Sequence, residues 1–184
     1  MVNDGNSNSS PLTSTVTVTG VNDAPTLTAT ALNPTFTEGA GSTQAAPVNV
    51  FGNVAISTVE AGQTINSLEF TVSGLVNGNR DVVMVDGTLI PTTAGSTGTT
   101  ATNGMTYSVS NTTGTATITL SKAGGITTTQ AQTLISGITY QNTLINTPTA
   151  GNRVFTLTKI TDSGGTNGGG VDTTALNIVS TVTV

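Results

Sequence analysis

Threonine alternating with valine, isoleucine or leucine is the feature that most narrows what this chain can fold into. The pattern runs through Thr15-Val16-Thr17-Val18, Phe70-Thr71-Val72, Thr115-Ala116-Thr117-Ile118-Thr119-Leu120 and Thr156-Leu157-Thr158. A period of two sends successive side chains to opposite faces of an extended chain. One face is therefore apolar and the other carries hydroxyls, which is strand chemistry with one packed and one wet side. Turn formers interrupt it at Asn77-Gly78, Asp86-Gly87 and Thr113-Gly114. Such dipeptides close hairpins because they accept a positive φ.

Read in order, the alternation predicts strands at Leu12–Thr19, Thr26–Thr30, Ile65–Ser73, Asp81–Val85, Thr88–Pro91, Met105–Val109, Ala116–Leu120, Ile138–Tyr140, Arg153–Thr161 and Asp172–Val184. Two further short strands, Pro47–Phe51 and Val54–Val59, are expected on either side of Gly52-Asn53, and residues 92–104 read as a loop. The one helical stretch is Thr127–Ile135, with Thr129 placed to cap it and Ala131, Leu134 and Ile135 forming a short apolar face. Many short strands with closely spaced turns and a single short helix predict an all-β fold, an antiparallel β-sandwich.

Composition removes several function classes. There is no Cys and no His, so disulfides, thiol or imidazole catalysis and Cys/His zinc sites are absent. Nine acidic residues against four basic ones leave no Lys/Arg cluster to neutralise phosphates, and nucleic acid is not an expected partner. No apolar run is long enough to span a bilayer as a helix, so no membrane insertion is expected. Scattered acids offer no placed carboxylate pair for glycoside hydrolysis, and the chain reads as a non-enzyme. Low charge with high polarity leaves disorder open for residues 1–10.

The two ends match. Ser14–Thr19 reads STVTVT and Ser180–Val184 reads STVTV, an offset of about 166 residues, as in a tandem array. The organisation expected is a C-terminal hairpin or strand of a preceding repeat at 1–19, an interdomain linker at 20–25 and one complete β-sandwich repeat at 26–184. The linker reads Gly20-Val21-Asn22-Asp23-Ala24-Pro25. By itself it is a turn, with Asn and Asp bonding the local backbone and Pro fixing the restart. Equally, Asn22 and Asp23 are oxygen donors of the kind calcium gathers six to eight at a time.

A linker reading VNDAP after a Thr/Val strand resembles the junctions of bacterial cadherin-like and immunoglobulin-like repeats in giant secreted adhesins of the repeats-in-toxin type. Ile138-Thr139-Tyr140-Gln141-Asn142, Pro148-Thr149-Ala150-Gly151-Asn152-Arg153 and Ile160-Thr161-Asp162-Ser163-Gly164-Gly165 look like the carboxy-terminal half of the same repeats. The resemblance implies an immunoglobulin-like or cadherin-like sandwich with calcium as its cofactor, and metal ligands among Asn22, Asp23, Glu38, Glu60, Asp162 and Asp172. Glu38 would correspond to the acid near the first strand, and Glu60 is the only acid of a loop that is often acid-rich in that family. Asp4 would be the preceding repeat's counterpart of Asp162. Asp81 and Asp86 read as ordinary hairpin residues, Glu69 as facing water, and Tyr140 with Arg153 as structural.

The function implied is that of an extender repeat in a secreted, cell-surface bacterial adhesin. Its partners would be neighbouring repeats of the same polypeptide, with self-association possible at strand edges. The alternatives are a module that binds glycan, protein or ice through a threonine face, or a subunit of a fibre or surface layer. Fold alone does not choose among these.

Overall fold

The computed structural model describes residues 5–184. Among these residues, twelve strands and one α-helix follow one another as β1 (Thr26–Ala31), β2 (Val48–Asn49), β3 (Phe51–Ser57), β4 (Ile65–Ser73), β5 (Asp81–Val85), β6 (Thr88–Ile90), β7 (Thr97–Thr99), β8 (Thr106–Thr112), β9 (Thr115–Ile126), α1 (Thr128–Ser136), β10 (Thr139–Asn142), β11 (Asn152–Asp162) and β12 (Thr173–Thr183). They form an all-β sandwich. One sheet has six strands in the order β12-β11-β4-β9-β8-β7. A four-stranded sheet runs β2-β10-β5-β6, and β1 pairs with β3. All of the strand-to-strand ladders are antiparallel.

The alternation seen in the sequence becomes the packing. Leu68, Phe70 and Val72 of β4, Ala116, Ile118 and Leu120 of β9, and Phe155 and Leu157 of β11 are buried. They join Val83, Val85, Ile90 and Tyr140 of the other sheet in one contiguous core. The residues between them point the other way and line up across the sheet: Thr156 stands opposite Thr71, Thr71 opposite Thr117, and Thr117 opposite Ser110. Hydroxyls keep that outer face hydrated with very few charges; Glu69, half-buried there, lies 3.6 Å from Lys159.

α1 packs on β3 through the face that carries Ala131, Leu134 and Ile135. Its cap is Thr127 and not Thr129. The Thr127 hydroxyl accepts the Gln130 amide while the Gln130 side chain accepts the Thr127 amide, a reciprocal capping box. The turn at Asp86-Gly87 is the expected hairpin, with φ of 51° and 76°, the signature of a type I′ turn.

Three sequence expectations are corrected. Gly52-Asn53 does not separate two strands: β3 continues through it, with Asn53 at φ 47° beside a register shift against β1. Residues 92–104 are not wholly loop, since β7 adds to the edge of β8. Leu12–Thr19 is not in a strand, and residues 9–25 carry none; Leu12, Val16 and Val18 are 100%, 83% and 88% exposed. A Thr/Val segment becomes a strand only when it lies along a partner edge; Leu12–Thr19 lies along none among the described residues, and both sides of β11 are already taken, by β12 and β4. Asp4 lies outside the described residues.

Candidate functional site

Where the chain enters the sandwich, Val21–Pro25 crosses the end at which β11 finishes and β12 begins. Main-chain bonding fixes the crossing: the Val171 amide donates to the Asn22 carbonyl at 2.9 Å. The Asn22 side chain then works in both directions. Its Nδ2 donates to the Val171 carbonyl at 2.8 Å and to Asp162 Oδ1 at 3.0 Å, while its Oδ1 accepts Gln63 Nε2 at 2.6 Å. One residue on, the Asp23 amide donates to Glu60 Oε1 at 3.1 Å.

The glycines after Asp162 let the loop close this tightly. A Cβ on Gly164 would fall 1.9 Å from Asn22 Oδ1 and 2.5 Å from Gln63 Nε2, so any other residue would push these two side-chain ends, and the hydrogen bond between them, aside. The Gly164 amide instead donates to Asp162 Oδ1 at 2.9 Å. The Asp162 amide donates to the Asp172 carbonyl at 2.9 Å, which sets the two aspartates side by side.

The oxygens left over define the site's chemistry. Asp162 is 1% exposed, yet its Oδ2 has no hydrogen-bond partner among the described residues. The same holds for Glu60 Oε2 and Gln63 Oε1, both buried atoms. Ionised carboxylates and amide oxygens are acceptors only. Leaving a buried acceptor unmatched costs roughly 1–3 kcal/mol, more when it is charged. Three side chains knitted into one corner each hold such an oxygen, and a hard divalent cation takes oxygen from carboxylates and amides together. The donor set therefore fits calcium. No group of three or more acidic, His or Cys side chains among the described residues is arranged as a metal cluster. The corner depends on amides as much as on acids.

Of the residues singled out from sequence, the fold brings Asn22, Asp23, Glu60 and Asp162 together. Asp172 stands beside them with its Oδ1 accepting the Thr173 hydroxyl at 2.9 Å. Glu38 is elsewhere. It is exposed and follows Phe36, whose amide donates to the Thr183 carbonyl opposite Asn152, at the far end of β11. Sequence reasoning gave Gln63 no role, because a neutral amide carries no mark until its neighbours are known. A fourth unpartnered oxygen, Asn66 Oδ1, lies against Gly125 where β4 meets the end of β9.

The Glu38 end of the sandwich holds a second polar group, and it is closed. Asp81, 2% exposed, accepts at Oδ1 from Tyr140 Oη (2.6 Å), Arg153 Nε (3.1 Å) and Asn142 Nδ2 (3.1 Å), and at Oδ2 from the Asn77 amide (2.8 Å). Arg153 Nη2 donates to Asn77 Oδ1 and to the Thr149 carbonyl. Burial, reinforced by the hydrogen bond to Asp81, pushes the Tyr140 hydroxyl well above the usual tyrosine range. The ring packs edge-on to Phe36 and Phe155, with centroids 5.5 and 6.3 Å away. Tyr140 and Arg153 are structural as expected. Asp81 is not the ordinary hairpin residue it reads as, but the centre of this network. Asp86 is also buried, accepting the Thr100 hydroxyl at 2.5 Å and the Asn103 amide and side chain at 2.9 and 2.6 Å.

No protein-family model, no curated protein and no solved structure matches this chain. No helix among the described residues is long and apolar enough to cross a membrane.

Proposed function

We propose that this chain is a structural repeat of a large, secreted bacterial surface adhesin, stiffened by calcium where one repeat meets the next and serving cell adhesion and biofilm formation. The observation that carries the reading is the trio of buried, unpartnered oxygens on Glu60, Gln63 and Asp162, at the corner where Asn22 and Asp23 enter. A metal bound only to one domain would need nothing from the linker. Here the linker is tied to the same carboxylates. Glu60, Gln63 and Asp162 would hold the ion, with Asn22 and Asp23 positioning them or contributing oxygens. Calcium would neutralise the carboxylates and complete the valences of the orphaned oxygens, so the linker's angle to the sandwich would become fixed. With the metal removed, the same charges repel and the junction bends. Catalysis has no part in this reading.

The test is thermal. Saturating calcium should raise the melting temperature of the metal-free chain; a ligand at a hundred times its Kd stabilises by about 2.7 kcal/mol. Magnesium, which demands tighter octahedral geometry, should do much less. Asp162→Asn keeps the side chain's shape and should abolish the calcium effect. A melting temperature indifferent to both calcium and EDTA would defeat the proposal.

A further inference from the structure

Leu12–Val18 has the sequence of a strand and pairs with no strand among the described residues. Counting back about 166 residues from β12 superimposes Leu12 on Ile178, Ser14 on Ser180, Val16 on Val182 and Val18 on Val184. The match extends to which way each side chain faces. Ser180 and Val182 are fully buried against the core, and Ile178 and Val184 pack on it in part. Thr181 and Thr183, which correspond to Thr15 and Thr17, lie between these inward positions. A buried serine in a sheet is an unusual demand. Ser180 meets it by accepting the Asn33 amide at 3.2 Å, and the duplicated segment keeps a serine at that position.

We propose that residues 12–18 are the closing strand of a second copy of this sandwich, the one that directly precedes it in the polypeptide. They would pair antiparallel with that copy's counterpart of β11. The register follows from β12: Leu157, Thr156, Phe155, Val154, Arg153 and Asn152 of the preceding copy face Leu12, Thr13, Ser14, Thr15, Val16 and Thr17. In the present chain the slot is filled by β12 itself, which is why Leu12, Val16 and Val18 stand in solvent. The proposal rests on the repeat reading of the proposed function but not on its metal. It adds that each sandwich is sealed by a strand running straight into the next sandwich's linker, with only Thr19–Val21 between Val18 and Asn22.

The test is a fusion that places residues 26–171 directly ahead of Asn6, so that the upstream β11 has only residues 7–18 to close it. The chain contains no cysteine, so Thr13→Cys combined with Thr156→Cys in the upstream copy reports the register without background. The expected result is an intramolecular disulfide from Thr13→Cys and little from Thr15→Cys, in calcium and in EDTA alike. Amide exchange across residues 12–18 should slow markedly relative to the unfused chain. Exchange as fast as in the unfused chain, or cross-linking indifferent to position, overturns the proposal. A pairing that forms in EDTA with no calcium response would keep this proposal and defeat the metal.

Discussion

At the scale of single residues, the sandwich treats its buried charges in two ways. Asp81 is fully matched: Arg153 Nε lies 3.1 Å away, Tyr140 and Asn142 share the same oxygen, and both ionic side chains are almost wholly removed from water. Asp162 is as deeply buried but half unmatched. A matched pair is satisfied as it stands, whereas an unmatched buried carboxylate oxygen carries a desolvation cost that a bound cation would offset. Arg153→Met should therefore cost about 3–5 kcal/mol, because it strands the Asp81 charge. Chemical denaturation of the two proteins measures this, and a loss below 1 kcal/mol would mean the network is not what secures that end. The sequence allowed part of this to be read. Tyr140 and Arg153 stand in stretches whose alternation marks them as core. Asp81 follows an arginine and begins a strand, and nothing local distinguishes a carboxylate that will be buried from one that will be solvated. Gln63 was invisible for the same reason: its role comes from Asn22, which lies 41 residues away in the chain.

At the scale of elements, the period-two pattern located most strands, because one buried and one wet face leave a trace in every second residue. It failed where the trace is short or interrupted. β7 is three residues long, in a loop rich in Thr and Gly, and exists only because β8 offers an edge. β3 runs through Gly52-Asn53, a pair that reads as a turn but that a strand absorbs as an irregularity. Leu12–Thr19 shows the converse, perfect alternation without a partner. The apolar face locates the helix, but in a run of three threonines it does not select the cap, which is Thr127, two residues before the expected Thr129. Only the Gln130 side chain, folding back to Thr127, selects among them. Thr127→Ala should cost about 1 kcal/mol, a fall in melting temperature of about 2–4 °C for a domain of this size. Thr129→Ala should change it much less. Equal losses would contradict the assigned cap.

At the scale of the whole molecule, the two ends of the sandwich differ in how their buried polar groups are satisfied. One is closed by Asp81, Arg153 and Tyr140 beneath the chain's last strand. The other gathers Asn22, Asp23, Glu60, Gln63 and Asp162 where the chain enters, and leaves three of their side-chain oxygens without a partner among the described residues. Glu38, at the closed end, would face a following repeat and not the linker of its own. In an array, each open end would meet the closed end of the copy before it, with the closing strand and the linker as one continuous piece of chain. The central claim is that the open end is a calcium site. Calorimetric titration of calcium into the metal-free chain tests it most directly. The account expects a saturable binding isotherm that Asp162→Asn abolishes and that Glu38→Gln leaves unchanged. No binding heat at millimolar calcium, or an isotherm that Asp162→Asn does not alter, would contradict it.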